Sequence, residues 1–96
     1  LRPENAFARN DLAWKLLTVP EAPLRDPAEA LEHARKAVEL DPTNGDYLNT
    51  LALAELRNGN VDAAIAAGEQ SMRLRDGGDA NDWFVLALAH AKKGEA

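Results

Sequence analysis

Apolar residues recur along the chain at the three- and four-residue spacing of one helix face, in stretches separated by polar and helix-breaking residues. The second stretch shows this spacing, with Ala30, Leu31, Ala34, Ala37 and Val38 along one side. The pattern predicts five helices, over residues 5–18, 27–40, 44–58, 61–74 and 80–93. The predicted fold class is therefore all-α, in one domain covering residues 1–96.

Prolines mark the boundary between the first two predicted helices. Pro20 and Pro23 end the first helix, because proline lacks a backbone donor and crowds the turn before it. A long loop is predicted over residues 19–26. At its end, Asp26 is predicted to cap the second helix, with Pro27 at the first helical position.

The later boundaries are marked by capping side chains and glycine turns. Thr43 is predicted to cap the third helix, together with Asp46 three residues on. Gly59 and Asn60 predict a tight turn after it. A second break is predicted at residues 76–78, after which Asp79 and Asp82 open the fifth helix.

The chain repeats itself with a period close to 34 residues. Residues 11–44 and 45–78 align at an offset of 34, and a third copy begins at residue 80 at an offset of 35 and covers residues 80–96. Large residues align with one another in the three copies, as Trp14, Leu48 and Trp83 do. A fixed period of this length is typical of helical-repeat proteins.

These residues resemble the tetratricopeptide repeat, whose period is 34 residues. The positions that match its pattern are Trp14, Leu17, Ala30, Ala37 and Pro42, then Leu51, Ala52, Gly59, Ala64 and Ser71, then Trp83, Leu86, Ala87 and Gly94. Departures occur at Thr18, at Glu55 and His90 in the usual tyrosine position, and at Gly68 in place of a bulky aromatic residue. The resemblance implies a right-handed superhelix of helical hairpins, here about two and a half repeats. It also suggests repeats of the type found in large bacterial multidomain proteins, so we expect a cytoplasmic or otherwise intracellular fragment of a longer protein.

Composition and charge narrow the function classes. Nineteen alanines and fourteen leucines against five aromatic residues favour closely packed helices. The formal net charge of −5 argues against a nucleic-acid partner. No apolar run is long enough to predict a membrane span, and the absence of cysteine excludes disulfides and thiolate metal sites.

The polar residues do not form a recognisable catalytic or metal-binding motif. His33 and His90 lack metal-ligand spacing, so neither metal nor cofactor is expected. Ser71 is predicted to be a small residue between helices rather than a nucleophile. Trp14 and Trp83 are predicted to fill the core. The sequence therefore predicts a protein that is not an enzyme.

The resemblance implies a concave face lined by the first helix of each hairpin, which we expect to bind a peptide or protein. On this sequence the face corresponds to Lys15, Asn49, Thr50, Leu53, Arg57, Asn81, Phe84, Leu88 and Lys92. Its three cations among apolar residues are suited to a peptide carrying acidic groups. The clamp for carboxylates found in chaperone-binding members matches at Lys15 only, which disfavours that kind of partner.

The fifth helix has no predicted partner helix, which suggests an alternative. We expect its apolar side, with Phe84, Leu86 and Ala89, to be covered by a missing segment, a swapped helix or a neighbouring chain, which allows a homo-oligomer or a self-assembly unit. A further alternative is a regulatory or substrate-recruiting appendage of a larger enzyme, such as a bacterial serine/threonine kinase.

Overall fold

The computed structural model describes residues 5–18, 26–75, 77 and 80–94, with only the backbone of residues 80 and 81. This part of the chain contains five α-helices and no strand. They are α1 (Ala6–Thr18), α2 (Pro27–Leu40), α3 (Gly45–Arg57), α4 (Val61–Leu74) and α5 (Ala80–Lys93). The predicted all-α class and the five predicted helices are confirmed, with boundaries that differ by one residue at most.

Capping side chains explain where α2 and α3 begin. Asp26 caps α2 as predicted, its Oδ1 accepting a hydrogen bond from the backbone N–H of Glu29 at 3.1 Å. The predicted cap of α3 at Thr43 is wrong. Asn44 occupies the cap position, and its Oδ1 accepts from the N–H of Tyr47 at 3.2 Å. Thr43 is exposed and lies one residue before the cap position, too early in the chain to reach that donor.

The predicted turn between α3 and α4 is present. Gly59 has a φ of +83°, the left-handed region that glycine adopts without steric cost. The side chain of Asn60 donates to Glu55 Oε1 at 2.8 Å, which ties the turn back to α3. Of the other predicted breaks, residues 19–25, Asp76, Gly78 and Asp79 lie outside the described residues.

The core forms around α3, because each helix packs against the helices next to it in the chain. α2 packs against α1 and α3, while α4 packs against α3 and α5. Nine of the thirteen residues of α3 are buried, more than in any other helix of the described chain. Small residues permit this close packing: a Cβ on Gly68 of α4 would lie 3.0 Å from a methyl carbon of Leu86 on α5.

The two tryptophans have different environments. Trp14 is half-buried and packs against the core cluster that contains Ala30, Leu31 and Ala34 of α2. The prediction that Trp83 fills the core is wrong, since 62% of its surface is exposed. Its position on α5 is not covered by any described helix, whereas the equivalent Leu48 on α3 is only 3% exposed.

Candidate peptide-binding face

The nine residues predicted for the concave face, which we call the candidate face, lie on three helices that pack in sequence. α1 contacts α3, and α3 contacts α5. Seven of them occur at equivalent repeat positions: Lys15, Asn49 and Phe84 form one row, Leu53 and Leu88 a second, and Arg57 and Lys92 a third. Because the copies align at offsets of 34 and 35 residues, the residues of one row occupy equivalent levels of their helices.

Exposure divides the candidate face into two groups. Lys15, Arg57, Phe84 and Lys92 are exposed, with Phe84 at 59%, and Leu88 is half-buried. Asn49, Thr50 and Leu53 are each only 4% exposed. The side chain of Asn81 lies outside the described residues. A partner at this face would therefore contact mainly three cations and two apolar side chains.

The three buried members have roles within the chain. Leu53 belongs to the main core cluster. The Thr50 hydroxyl donates to the backbone oxygen of Asp46 at 3.1 Å. Asn49 borders, with Asn10 and Trp14, a cavity of about 220 Å³ between α1 and α3, and its Oδ1 has no hydrogen-bond partner in the described structure. These three side chains shape the floor of the face rather than its rim.

A small apolar pit adjoins the Arg57 side of the candidate face. Leu16 and Leu17 of α1, Pro27 of α2 and Arg57 of α3 line a cavity of about 90 Å³. Three of its four lining residues are apolar, and the fourth is the exposed guanidinium group. A pit of this composition can hold an aliphatic side chain while arginine binds a neighbouring carboxylate.

Sequence reasoning did not find this pit as a unit. It assigned Arg57 to the concave face, but Pro27 appeared only as the first residue of a helix. The fold brings Pro27 to α1 and α3, where the Asn58 side chain donates to its carbonyl oxygen at 2.8 Å. No local pattern in the sequence indicates such a contact between residues 31 positions apart.

Lys15, an exposed cation of the candidate face, already has an ion-pair partner on its own helix. Its Nζ lies 3.0 Å from Asp11 Oδ2, four residues earlier on α1, and both side chains are largely exposed. Exposed pairs of this kind contribute about 0.3–0.5 kcal/mol, so a stronger carboxylate partner can displace Asp11.

Ser71 lies in a structural cluster and not beside a catalytic base. Its hydroxyl is 2.8 Å from the carbonyl oxygen of Gly45 and 2.7 Å from Asp82 Oδ1, and it shares its single proton between them. Arg75 completes the cluster, with Nε 3.6 Å from Asp82 Oδ2 and Nη1 3.0 Å from Asp46 Oδ1. A serine bonded to acceptors without a neighbouring histidine lacks the arrangement that activates a nucleophile.

The histidines also have structural surroundings. His33 is half-buried between Arg9, whose Nη1 lies 3.1 Å from Nδ1, and Glu29, whose Oε2 lies 3.3 Å from Nε2. Through Arg9 it links α1 to α2. His90 is half-buried on α5.

The predicted self-association face is mostly internal to the chain. Leu86 is 8% exposed and Ala89 is fully buried, while Phe84 is exposed. Leu86 lies next to Gly68, close to the place where a Cβ would stand, and Ala89 packs with Leu56 and Ala64. Two of the three residues are therefore occupied by packing against α3 and α4.

Metal and membrane features are not seen in the described residues. Within the described ranges, no group of three or more histidine and carboxylate side chains is placed to hold a metal ion. None of the five helices has the length and apolar character needed to cross a membrane.

Comparison with protein-family models finds a match within the chain. Residues 33–66, which run from within α2 through α3 into α4, match a family model described as a tetratricopeptide repeat. The predicted resemblance is thereby confirmed over these residues. Repeats of this family are in general non-catalytic and serve protein–protein interaction. No curated protein matches the chain.

Proposed function

Because the chain carries a tetratricopeptide repeat, we propose that it is a non-catalytic interaction module whose candidate face binds an acidic peptide with an aliphatic side chain. The observation that carries the proposal is the apolar pit with Arg57 at its edge. An aliphatic side chain enters the pit, and an adjacent carboxylate forms a charge-assisted hydrogen bond with the guanidinium group.

The other exposed members of the candidate face extend the contact along the array. Phe84 and the half-buried Leu88 supply apolar surface on α5, and Lys92 lies in the same row as Arg57. An extended acidic peptide following these rows would meet cations at both ends of the face. The positive charge of this face contrasts with the chain's net charge of −5, so an acidic peptide is attracted to the face and repelled by most of the remaining surface.

The test measures binding of two short fluorescent peptides by anisotropy. One alternates leucine with glutamate, and the other alternates leucine with lysine. We expect the glutamate peptide to bind more tightly, with an affinity that falls as salt is raised. Arg57→Ala should weaken binding about tenfold, equivalent to about 1.4 kcal/mol.

Arg73→Ala is the matched control, since Arg73 is an exposed arginine on α4, outside the candidate face. It should leave the affinity unchanged. Equal binding of the two peptides, or equal loss of affinity in both arginine variants, would contradict the proposed function.

A further inference from the structure

A cavity in the groove between α1 and α3 carries polar atoms that the fold leaves without partners. It has a volume of about 220 Å³ and is lined by Asn10 and Trp14 of α1 and by Asp46, Asn49 and Thr50 of α3. Asn49 is only 4% exposed, and neither its Oδ1 atom nor that of Asn10 has a hydrogen-bond partner in the described structure. Burying an acceptor without a partner costs free energy, so two such oxygens in one cavity point to a ligand that donates hydrogen bonds.

Two further oxygen groups of the lining are acceptors. The Thr50 hydroxyl donates its proton to the backbone oxygen of Asp46 at 3.1 Å, so towards the cavity its oxygen can only accept. The side chain of Asp46 is 74% exposed, and its Oδ1 lies 3.0 Å from Arg75 Nη1. A carboxylate has about four acceptor sites, so this ion pair leaves it able to accept further hydrogen bonds. The lining therefore combines several oxygen acceptors with one negative charge, which favours a cationic donor.

Two cations adjoin this lining, and both already have carboxylate partners. Lys15 of α1 lies 3.0 Å from Asp11. Arg75 contacts both Asp46 and the fully buried Asp82. Each positive charge is therefore balanced within the chain, and neither opposes the entry of a cation into the cavity.

The ring of Trp14 favours an organic cation over a metal ion. Calcium and magnesium are surrounded by six or more oxygen ligands in proteins. The indole ring offers no oxygen, and the lining holds one carboxylate, so a metal ion would lack ligands on the side of the ring. The cavity is also several times larger than the volume of one water molecule, about 30 Å³. An aromatic ring instead attracts organic cations, and guanidinium groups stack on such rings.

The number of acceptors favours a guanidinium group over an ammonium group. An ammonium group is compact, strongly hydrated and has three donors, whereas a guanidinium group is flat, more weakly hydrated and has five N–H donors. The two amide oxygens, the hydroxyl oxygen and the carboxylate of the lining can share these five donors while the flat group packs against the indole ring. Arginine is the amino acid that carries this group.

The cavity and the apolar pit at Arg57 lie in the same groove at different levels. Both are bounded by α1 and α3, with Trp14 and Asn49 at the cavity and Leu16 and Arg57 at the pit. Asn49 and Arg57 are eight residues apart on α3, which corresponds to about 12 Å along the helix axis. An extended peptide covers this distance in about four residues.

We propose that this cavity is a second subsite of the candidate face, which binds an arginine side chain of the partner peptide. The guanidinium group stacks on Trp14 and donates hydrogen bonds to the Oδ1 atoms of Asn10 and Asn49. The carboxylate of Asp46 balances its charge at the rim. The peptide then carries its arginine about four residues from the aliphatic and acidic residues that bind at Arg57. This spacing rests on the proposed function, whereas the affinity of the cavity for a guanidinium group does not.

The first test uses N-acetylarginine amide as the probe and does not require the acidic peptide. In a Trp83→Phe background, which changes an exposed position, Trp14 is the only tryptophan of the chain and its emission reports on the cavity. The arginine amide should change this emission saturably, with a dissociation constant of about 1 mM or somewhat above. The amide of citrulline, whose neutral urea group has the same shape, should leave the emission unchanged. The amide of lysine, acetylated at its α-amino group, should bind several-fold more weakly than the arginine amide.

Asn49→Leu distinguishes a binding role from a structural one. Leucine is close to asparagine in size and removes the buried oxygen, so the variant should unfold at the same or a higher urea concentration. Its response to the arginine amide should be lost. Gln70→Leu makes the same exchange at an exposed position of α4 and should keep the full response. Asn10→Ala is the second variant, should Asn49→Leu displace the ring, and should weaken binding several-fold.

A peptide experiment tests the spacing. Two fluorescent peptides carry alternating leucine and glutamate and, four residues away, either arginine or citrulline, with both orders of the two parts prepared. In the better-binding order the arginine peptide should bind about tenfold more tightly. Asn49→Leu should remove this difference, whereas Arg57→Ala should weaken both peptides equally. Failure of the proposed function therefore affects both peptides, and failure of the arginine subsite affects only their ratio.

Three outcomes would overturn the proposal. One is an equal response to the arginine and citrulline amides. Another is an equal response to the arginine and lysine amides, which would indicate general attraction of cations to a chain with a net charge of −5. A third is a response that Asn49→Leu and Asn10→Ala leave intact; combined with a lower urea midpoint for Asn49→Leu, it would assign the buried amide a structural role.

Discussion

One buried hydroxyl connects three helices of this chain. Ser71 on α4 contacts the carbonyl oxygen of Gly45 on α3 and the carboxylate of Asp82 on α5, and both Ser71 and Asp82 are fully buried. Buried carboxylates are stable only when their oxygens have partners. The resemblance to a repeat family indicated a small residue at position 71, but a small residue alone does not predict a hydrogen-bonded cluster. The partner residues, 26 and 11 positions away, meet only in the folded chain.

Removing this hydroxyl should therefore destabilise the fold. We expect Ser71→Ala to lower the free energy of unfolding by about 1–3 kcal/mol, since it removes the hydrogen bond from the Ser71 hydroxyl to the buried carboxylate of Asp82. Urea unfolding followed by tryptophan fluorescence measures the change. Gln70→Ala, at the exposed neighbouring position, should change stability by less than about 0.5 kcal/mol. Equal unfolding midpoints for the two variants would show that the cluster is not stabilising.

Tyr47 gives the fold a dependence on alkaline pH. Burial of the ring, and then the charges of Asp41 and Asp46, raise the pKa of the Tyr47 phenol above its ordinary value of 10.0. Above that pH the unfolded chain loses the phenol proton more readily than the folded chain does. The stability that the protonated phenol contributes is therefore complete below the ordinary pKa and is lost as pH rises through the folded pKa.

The urea midpoint of the wild type should fall more steeply than that of Tyr47→Phe between about pH 9 and pH 11. Because the chain has one tyrosine, its ultraviolet absorbance titration reports Tyr47 alone. A native titration midpoint at or below 10.0, or parallel pH dependence in both proteins, would contradict the expected direction.

At the scale of the helix, sequence patterns were sufficient to predict the five helices but not the residue that caps α3. Apolar spacing, proline and glycine predicted all five helices, because these signals act within one turn of the chain. The cap of α3 was misassigned because Thr43 and Asn44 are both good capping residues and lie side by side. Only the backbone geometry decides which of them is followed directly by helical residues.

The two candidates for the cap differ in a measurable way. Asn44→Ala should lower the free energy of unfolding by about 1 kcal/mol, since the N–H of Tyr47 loses its acceptor. Thr43→Ala removes an exposed side chain outside the helix and should cost less than about 0.5 kcal/mol. Chemical denaturation of both variants at the same pH makes the comparison, and a larger loss for Thr43→Ala would contradict the assignment.

At the scale of the whole molecule, the repeat period predicted which helix positions are equivalent but not how deeply each is buried. Asn49 and Phe84 occupy the same row, yet Asn49 is 4% exposed and Phe84 is 59% exposed. Trp83 was misplaced for the same reason, since burial of a repeat position requires the neighbouring helices as well as the residue. The repeat equivalence therefore indicated which three helices carry the candidate face. The contacts among these helices decide which of its residues are buried and which are exposed.

The same dependence on neighbours should make stability vary along the array. α3 packs against the other four helices, whereas α1 and α5 each lack a neighbour on one side among the described helices. In a stack of this kind each helix is stabilised by its interfaces, so opening begins at the ends. Hydrogen exchange should therefore be slowest for the amides of α3, intermediate for α2 and α4, and fastest for α1 and α5.

Leu53→Ala provides the contrasting perturbation. Leu53 is 4% exposed in the main core cluster, and its truncation should cost about 2–5 kcal/mol and accelerate exchange in every helix whose slow amides require global unfolding. Ala87→Glu, on the exposed side of α5, should leave the exchange of α3 unchanged. Uniform protection across the five helices would mean that they unfold as one cooperative unit, because a gradient requires the end helices to open while α3 remains packed.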